Sequence, residues 1–163
     1  MPRRFVIEVE KDYFNFASAH FLVFANGKRE ALHGHNYQIS VTIEGELDSA
    51  KIVLDFIAFK PLIKNICDDL DHRTLIQRDS SALKIRRGAG HVIVLYRDQR
   101  IVLPARDALL LPIANTSTEM LAEYIAGQIR RKVRRRFPGA KLHNLEVGIE
   151  ETRGQRRFYK GEF

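Results

Sequence analysis

The sequence predicts an α+β domain, on three observations. Residues 5–22 and 33–43 alternate apolar and polar side chains, the period of a strand with one buried face. Two later stretches, near 58–70 and 116–137, carry apolar residues at helical spacing. A further alternating stretch, Leu145 to Thr152, follows the second helix. A chain of 163 residues is long enough for one domain, 1–163, with a real core.

The first segment places Phe14, Phe16, Ser18 and His20 on one parity, with His20 closing the row. Residues 23–31 centre on Asn26-Gly27 and read as a loop. In the second segment Tyr37, Ile39, Val41 and Ile43 share a face, and the same period carries that face back to His35 and His33. Two imidazoles about 7 Å apart along a strand can close on one divalent ion if the strand bends, and Gly34 permits a bend. An antiparallel return would bring His20 to the same place. Catalytic zinc asks for three protein ligands and an open position, so the three histidines predict a metal site.

Gly45 to Val53 reads as a turn and a further short strand segment. Phe59, Leu62, Ile63, Ile66, Cys67 and Leu70 form an amphipathic stripe, and Pro61 suits the first turn of a helix, which sets the start near Ala58 to Lys60. Cys67 on that stripe reads as a small buried hydrophobe. Asp71-His72 at the helix end is a candidate acid/base pair only if both residues leave the helix, since adjacent helical residues do not face each other. Residues 73–89 are mixed and basic. Residues 91–103 read as a hairpin, and 105–114 as a Leu-rich connection. Thr116 and Glu119 match a capping box at the second helix. On the last alternating segment Leu145, Val147 and Ile149 face inward, and Glu151 follows on their side. Residues 153–163 read as a short final strand or tail.

Composition limits the function classes. One cysteine excludes an intrachain disulfide framework and a Cys-rich zinc site. No stretch approaches a membrane span, and no apolar leader follows Met1, so a cytoplasmic protein is expected. The net charge of +7 suits anionic partners. Much of the excess sits at Arg130, Arg131, Lys132, Arg134, Arg135 and Arg136, where no aromatic residue interleaves; this run reads as a solvated helix end, not a nucleic-acid surface.

Phe16-Ala17-Ser18-Ala19-His20, Leu32-His33-Gly34-His35-Asn36-Tyr37, Val53-Leu54-Asp55-Phe56, Leu70-Asp71-His72-Arg73-Thr74-Leu75, Asn115-Thr116-Ser117-Thr118-Glu119 and Glu151-Thr152 occur in that order. With these motifs the chain resembles the 6-pyruvoyltetrahydropterin synthase family, including the 6-carboxytetrahydropterin synthases of queuosine-precursor synthesis. The resemblance implies a tunnelling fold: an antiparallel four-stranded sheet with two helices on one face, here with an extra hairpin near 91–103. It implies homo-oligomers, a trimer or a dimer of trimers. It implies Zn2+ on His20, His33 and His35, pterin contacts from Glu151, Glu119 and Thr118, and an Asp71-His72 pair reaching a site across a subunit interface. The substrate would be the small molecule 7,8-dihydroneopterin triphosphate, from which triphosphate is expelled. Members of the family usually carry a catalytic cysteine four residues before the first histidine of His-Gly-His; here Arg29 stands in that slot. Glu30, one position on, is the candidate replacement. The alternative is a pterin- and zinc-binding homologue with lost or altered turnover.

Overall fold

The computed structural model describes residues 3–163. Along the chain run β1 (Phe5–His20), β2 (His33–Gly45), α1 (Phe56–Leu70), β3 (Arg73–Gln77), β4 (Lys84–Gly88), β5 (His91–Tyr96), β6 (Gln99–Pro104), β7 (Ala108–Leu111), α2 (Thr118–Arg136), β8 (Leu142–Thr152) and β9 (Gln155–Glu162). The expected four antiparallel strands are β1, β2, β8 and β9, adjacent in that order. Both helices share one face of them, in a core that joins Phe14, Phe16, Tyr37, Ile39 and Val147 to Phe59, Ile63, Leu121 and Ile125.

The sheet is wider than expected. Strands β3 and β7 extend it to six, β3 running parallel to β1 and β7 parallel to β3. The stretches read as a basic segment and a Leu-rich connection therefore contain strands. The expected hairpin is also larger: β4, β5 and β6 form a separate three-stranded antiparallel sheet. Phe21, Ile76, Leu83, Val92, Val94 and Tyr96 make its own buried cluster. No strand forms between Gly45 and Val53; bends and turns held by the Asp48 carboxylate replace it, which accepts from the Ala50 and Ile52 N–H groups.

One irregularity sets the phase of β1. Its pairing with β2 shifts between Glu10 and Asn15. Val9 is buried on one side of the shift, and Phe14, Phe16, Ser18 and His20 on the other, so the inward parity changes from odd to even. Beyond the shift the register is regular, with Ser18 opposite His35 and His20 opposite His33. Gly34 therefore supplies room and not a bend: a Cβ there would lie 3.2 Å from the Ser18 carbonyl oxygen.

The helices start where their caps dictate. Asp55 caps α1 by accepting from the Ile57 N–H at 2.8 Å, so α1 begins two residues before the expected Ala58 and Pro61 lies inside it. Ser117, not Thr116, caps α2, its hydroxyl accepting from the Met120 N–H at 3.3 Å. Thr116 is fully buried, and its hydroxyl donates instead to the Phe21 carbonyl at 2.8 Å. The arginine-rich end of α2 fastens the last strand. Arg130 donates to the Glu162 carbonyl at 2.7 Å and stacks on Tyr159, and Arg134 donates to the Phe163 carbonyl at 2.8 Å.

Replacing Ser117 by alanine removes that cap and should cost about 1 kcal/mol of stability. For a chain of this size that lowers Tm by about 2–4 °C, readable by thermal denaturation.

Candidate metal centre and substrate pocket

The β1–β2 register places His20, His33 and His35 together. Their ring centroids lie 4.8 to 5.2 Å apart, and one nitrogen from each falls within 4.8 Å of the others. Tetrahedral zinc with bonds near 2.1 Å asks for about 3.4 Å between ligand nitrogens, a small contraction of this cluster.

The donor chemistry fits a metal ion. His20 Nδ1 donates to the Thr116 carbonyl at 2.9 Å, and His33 Nδ1 to the Ala31 carbonyl at 2.8 Å. A carbonyl only accepts, so both Nδ1 atoms carry the proton and Nε2 presents its lone pair. His20 Nε2 is buried without a hydrogen-bond partner, as a ligand atom would be. Burial pushes the His20 pKa below the ordinary histidine range; His33 and His35 act the same way, against the Thr116 carbonyl and Glu151. The neutral, ligating form is therefore favoured.

Glu151 stands beside this cluster. Its Oε1 lies 3.0 Å from His35 Nε2, close but not aligned as a hydrogen bond, and its Oε2 accepts from the buried Thr118 hydroxyl. The inward carboxylate thus has a hydroxyl donor from α2. Glu119, next in sequence, does not join it: its exposed carboxylate accepts from Arg157 at 3.2 Å. Tyr37 lies beneath the histidines, stacked on Phe16, its hydroxyl buried and unpaired. Burial raises the Tyr37 pKa, and the carboxylates of Glu151 and Glu30 raise it further.

Arg29 and Glu30 diverge. Arg29 reaches outward: its guanidinium donates to Gln99 Oε1 at 2.7 Å and lies over the Phe21 ring. Glu30 is pinned to Leu22 twice, donating its N–H to the Leu22 carbonyl at 2.9 Å and accepting from the Leu22 N–H on Oε2 at 3.0 Å. The only thiol is remote from this geometry. Cys67 is buried in α1, and burial pushes its pKa up to about 12.

Asp71 and His72 do leave the helix. Asp71 is extended and His72 adopts a left-handed φ of 54°. Asp71 accepts from the Ala17 N–H at 2.7 Å and lies 2.7 Å from His72 Nδ1. Partial burial raises the Asp71 pKa, but these two bonds outweigh it and hold the carboxyl below the usual range. The pair is not bonded to the three histidines of its own chain. Exposed His72 instead lines a cavity of about 450 Å3 on which His35 also borders.

Comparison with known proteins agrees with the geometry. The family model described as 6-pyruvoyl tetrahydropterin synthase matches residues 8–162. A Methanocaldococcus jannaschii protein bearing the provisional name 6-carboxy-5,6,7,8-tetrahydropterin synthase is 32% identical over 146 residues, 89% of this chain and 88% of that one. The crystal structure of Plasmodium vivax 6-pyruvoyl tetrahydropterin synthase covers 99% of both chains with a TM-score of 0.91 and 29% identity. Variants of that enzyme, 28% identical at the same TM-score, replace a glutamate described as its catalytic residue by alanine or cysteine. Fold and relatives together define a tetrahydropterin-synthase type of lyase. The chain belongs to the 6-pyruvoyl tetrahydropterin synthase family.

The sequence reading had no signal for the outer partners of the histidines, because Thr116 and Ala31 act through carbonyls that any residue supplies. Nor did it single out Asn115, whose side chain binds both backbone groups of Val23.

Cys67→Ala should retain turnover and lose about 1 kcal/mol of stability through the small cavity it leaves. The native thiol should resist iodoacetamide until the protein unfolds, which mass spectrometry of the alkylated protein will read.

Proposed function

We propose that this chain, as a single domain, is a zinc-dependent lyase that expels triphosphate from 7,8-dihydroneopterin triphosphate or a close relative. The observation that carries the proposal is the convergence of His20, His33 and His35 beside the inward carboxylate of Glu151. Zinc on the three imidazoles would polarise the substrate's side-chain hydroxyls and acidify the adjoining C–H and O–H groups. Glu151 would accept two N–H bonds from the amino-pyrimidine edge of the ring, held in place by Thr118, with Glu119 contacting the pterin from the rim.

Glu30 is the proposed base in place of the missing thiol. Arg29 is committed to Gln99 and Phe21, whereas Glu30 is tied to Leu22, two residues from His20. Its Oε2 accepts from the Leu22 N–H, leaving Oε1 for a substrate proton. The glutamate described as catalytic in the Plasmodium vivax relative supports this assignment. Asp71 would fix the tautomer of His72, which would pass a proton at the site of a neighbouring subunit.

Assembly is the second part of the proposal. Strand β9 ends one side of the six-stranded sheet. On the other side β3 covers β1 only at Ser18 and Ala19, so residues 5–13 of β1 have no outer partner among the described residues. Two different open edges on one chain can pair head to tail, and such contacts form rings where the rotation between copies closes. We propose a trimer or a dimer of trimers, in the cytoplasm, acting in tetrahydropterin or queuosine-precursor biosynthesis. No described helix is long and apolar enough to cross a membrane.

The zinc-loaded protein incubated with 7,8-dihydroneopterin triphosphate should release triphosphate, and chelator-treated protein should not. Glu30→Gln should lower kcat by about 10²–10⁴-fold while metal content stays at one ion per chain. Full turnover by this variant would remove Glu30 from the mechanism; no triphosphate from the wild type would remove the lyase. Sedimentation equilibrium should return the mass of three or six chains.

A further inference from the structure

The backbone from Phe21 to Val23 joins the first histidine to the loop that carries Glu30, and hydrogen bonds from Thr116, Gln77, Glu30 and Asn115 hold it. The Phe21 carbonyl accepts from the Thr116 hydroxyl at 2.8 Å and from Gln77 Nε2 at 3.0 Å. Both backbone groups of Leu22 are bound by Glu30. Both backbone groups of Val23 are bound by one amide: Asn115 Nδ2 donates to the Val23 carbonyl at 3.0 Å, and Asn115 Oδ1 accepts from the Val23 N–H at 3.3 Å.

Asn115 Oδ1 also accepts from the Thr116 N–H at 3.1 Å, and the Thr116 carbonyl is the acceptor for His20 Nδ1. A closed path of hydrogen bonds therefore runs from the imidazole of His20, through Thr116 and Asn115, to Val23. From there the chain itself leads through Leu22 to the Glu30 carboxylate. Asn115 and Thr116 come from a distant part of the sequence, and the Asn115 side chain is the link on this path between the Thr116 N–H and Val23. An amide suits this position because one planar group supplies a donor and an acceptor side by side, as a neighbouring strand would.

We propose that Asn115 is a positioning residue that sets the Glu30 carboxylate relative to the metal-ligating imidazole of His20. This inference rests on the assignment of Glu30 as the base. Without the amide, Val23 loses both its bonds and Leu22 moves with it, so Glu30 leaves the place from which Oε1 meets the substrate. An error of about 1 Å at a reacting group is enough to cost about a hundredfold in rate.

The test is a double-mutant cycle on kcat with the zinc-loaded protein. Asn115→Ala should lower kcat ten- to a hundredfold with KM within about twofold of wild type. Asn115→Asp keeps the acceptor for Val23 and Thr116 but loses the donor to the Val23 carbonyl; it should show the same split and serves if the alanine variant folds poorly. In a Glu30→Ala background Asn115→Ala should bring no further loss, because the group it positions is gone. Equal multiplicative losses in both backgrounds would overturn the proposal and leave Asn115 a loop anchor. A Glu30→Ala enzyme with full turnover would instead overturn the assignment of the base, and the positioning role with it. Zinc content, measured alongside, gives a readout apart from turnover: Asn115→Ala should also weaken retention against a competing chelator, since it loosens Thr116 behind His20.

Discussion

The antiparallel pairing of β1 with β2 is the constraint on which the rest depends. Its register sets His20 across from His33 and Ser18 across from His35, so three imidazoles share one face with no loop required to place them. A side-chain period of two makes this all or none: a slip of one residue would send the histidines of one strand to the opposite face. The pairing is anchored below the site by Phe16 stacked on Tyr37 and by the apolar rows that both strands bury under α1 and α2. The three-histidine cluster is thus an extension of the hydrophobic core, and its preorganisation comes from packing that would exist without it.

Around that rigid pair the other groups are held by backbone atoms. Carbonyls of Thr116 and Ala31 fix two tautomers, the Leu22 N–H fixes Glu30, and the Ala17 N–H fixes Asp71. Thr116, Ala31 and Leu22 belong to segments just outside a strand or helix, where a main-chain group is not already spent on regular structure, and Ala17 lies in β1 just before the two residues that β3 covers. The added sheet of β4, β5 and β6 contributes in the same way: the Tyr96 hydroxyl donates to the Gly27 carbonyl and Gln99 receives Arg29, which ties down the loop leading to Glu30.

Much of this was legible in the sequence, for physical reasons. Strands β1 and β2 and the inward parity of the histidines follow from alternation, and the two helices from their apolar stripes. Strands β3 and β7 were not legible. Arg73-Thr74-Leu75-Ile76-Gln77 buries four consecutive residues and so shows no alternation, and its parallel neighbour is a short run of apolar residues. The choice between Thr116 and Ser117 as a cap could not be made locally either, because both are good caps and only the tertiary demand of the Phe21 carbonyl separates them.

The phase change in β1 has a consequence for how this chain can vary in length. Residues 11–14 sit between two stretches whose inward parities differ, so they work as a spacer that reconciles the hairpin's far end with its histidine-bearing end. Losing or gaining a single amino acid there would force a choice between the packing of Val9 and that of Phe14, Phe16 and His20. Changes of two would leave both in step, so size variation in this spacer is confined to even increments.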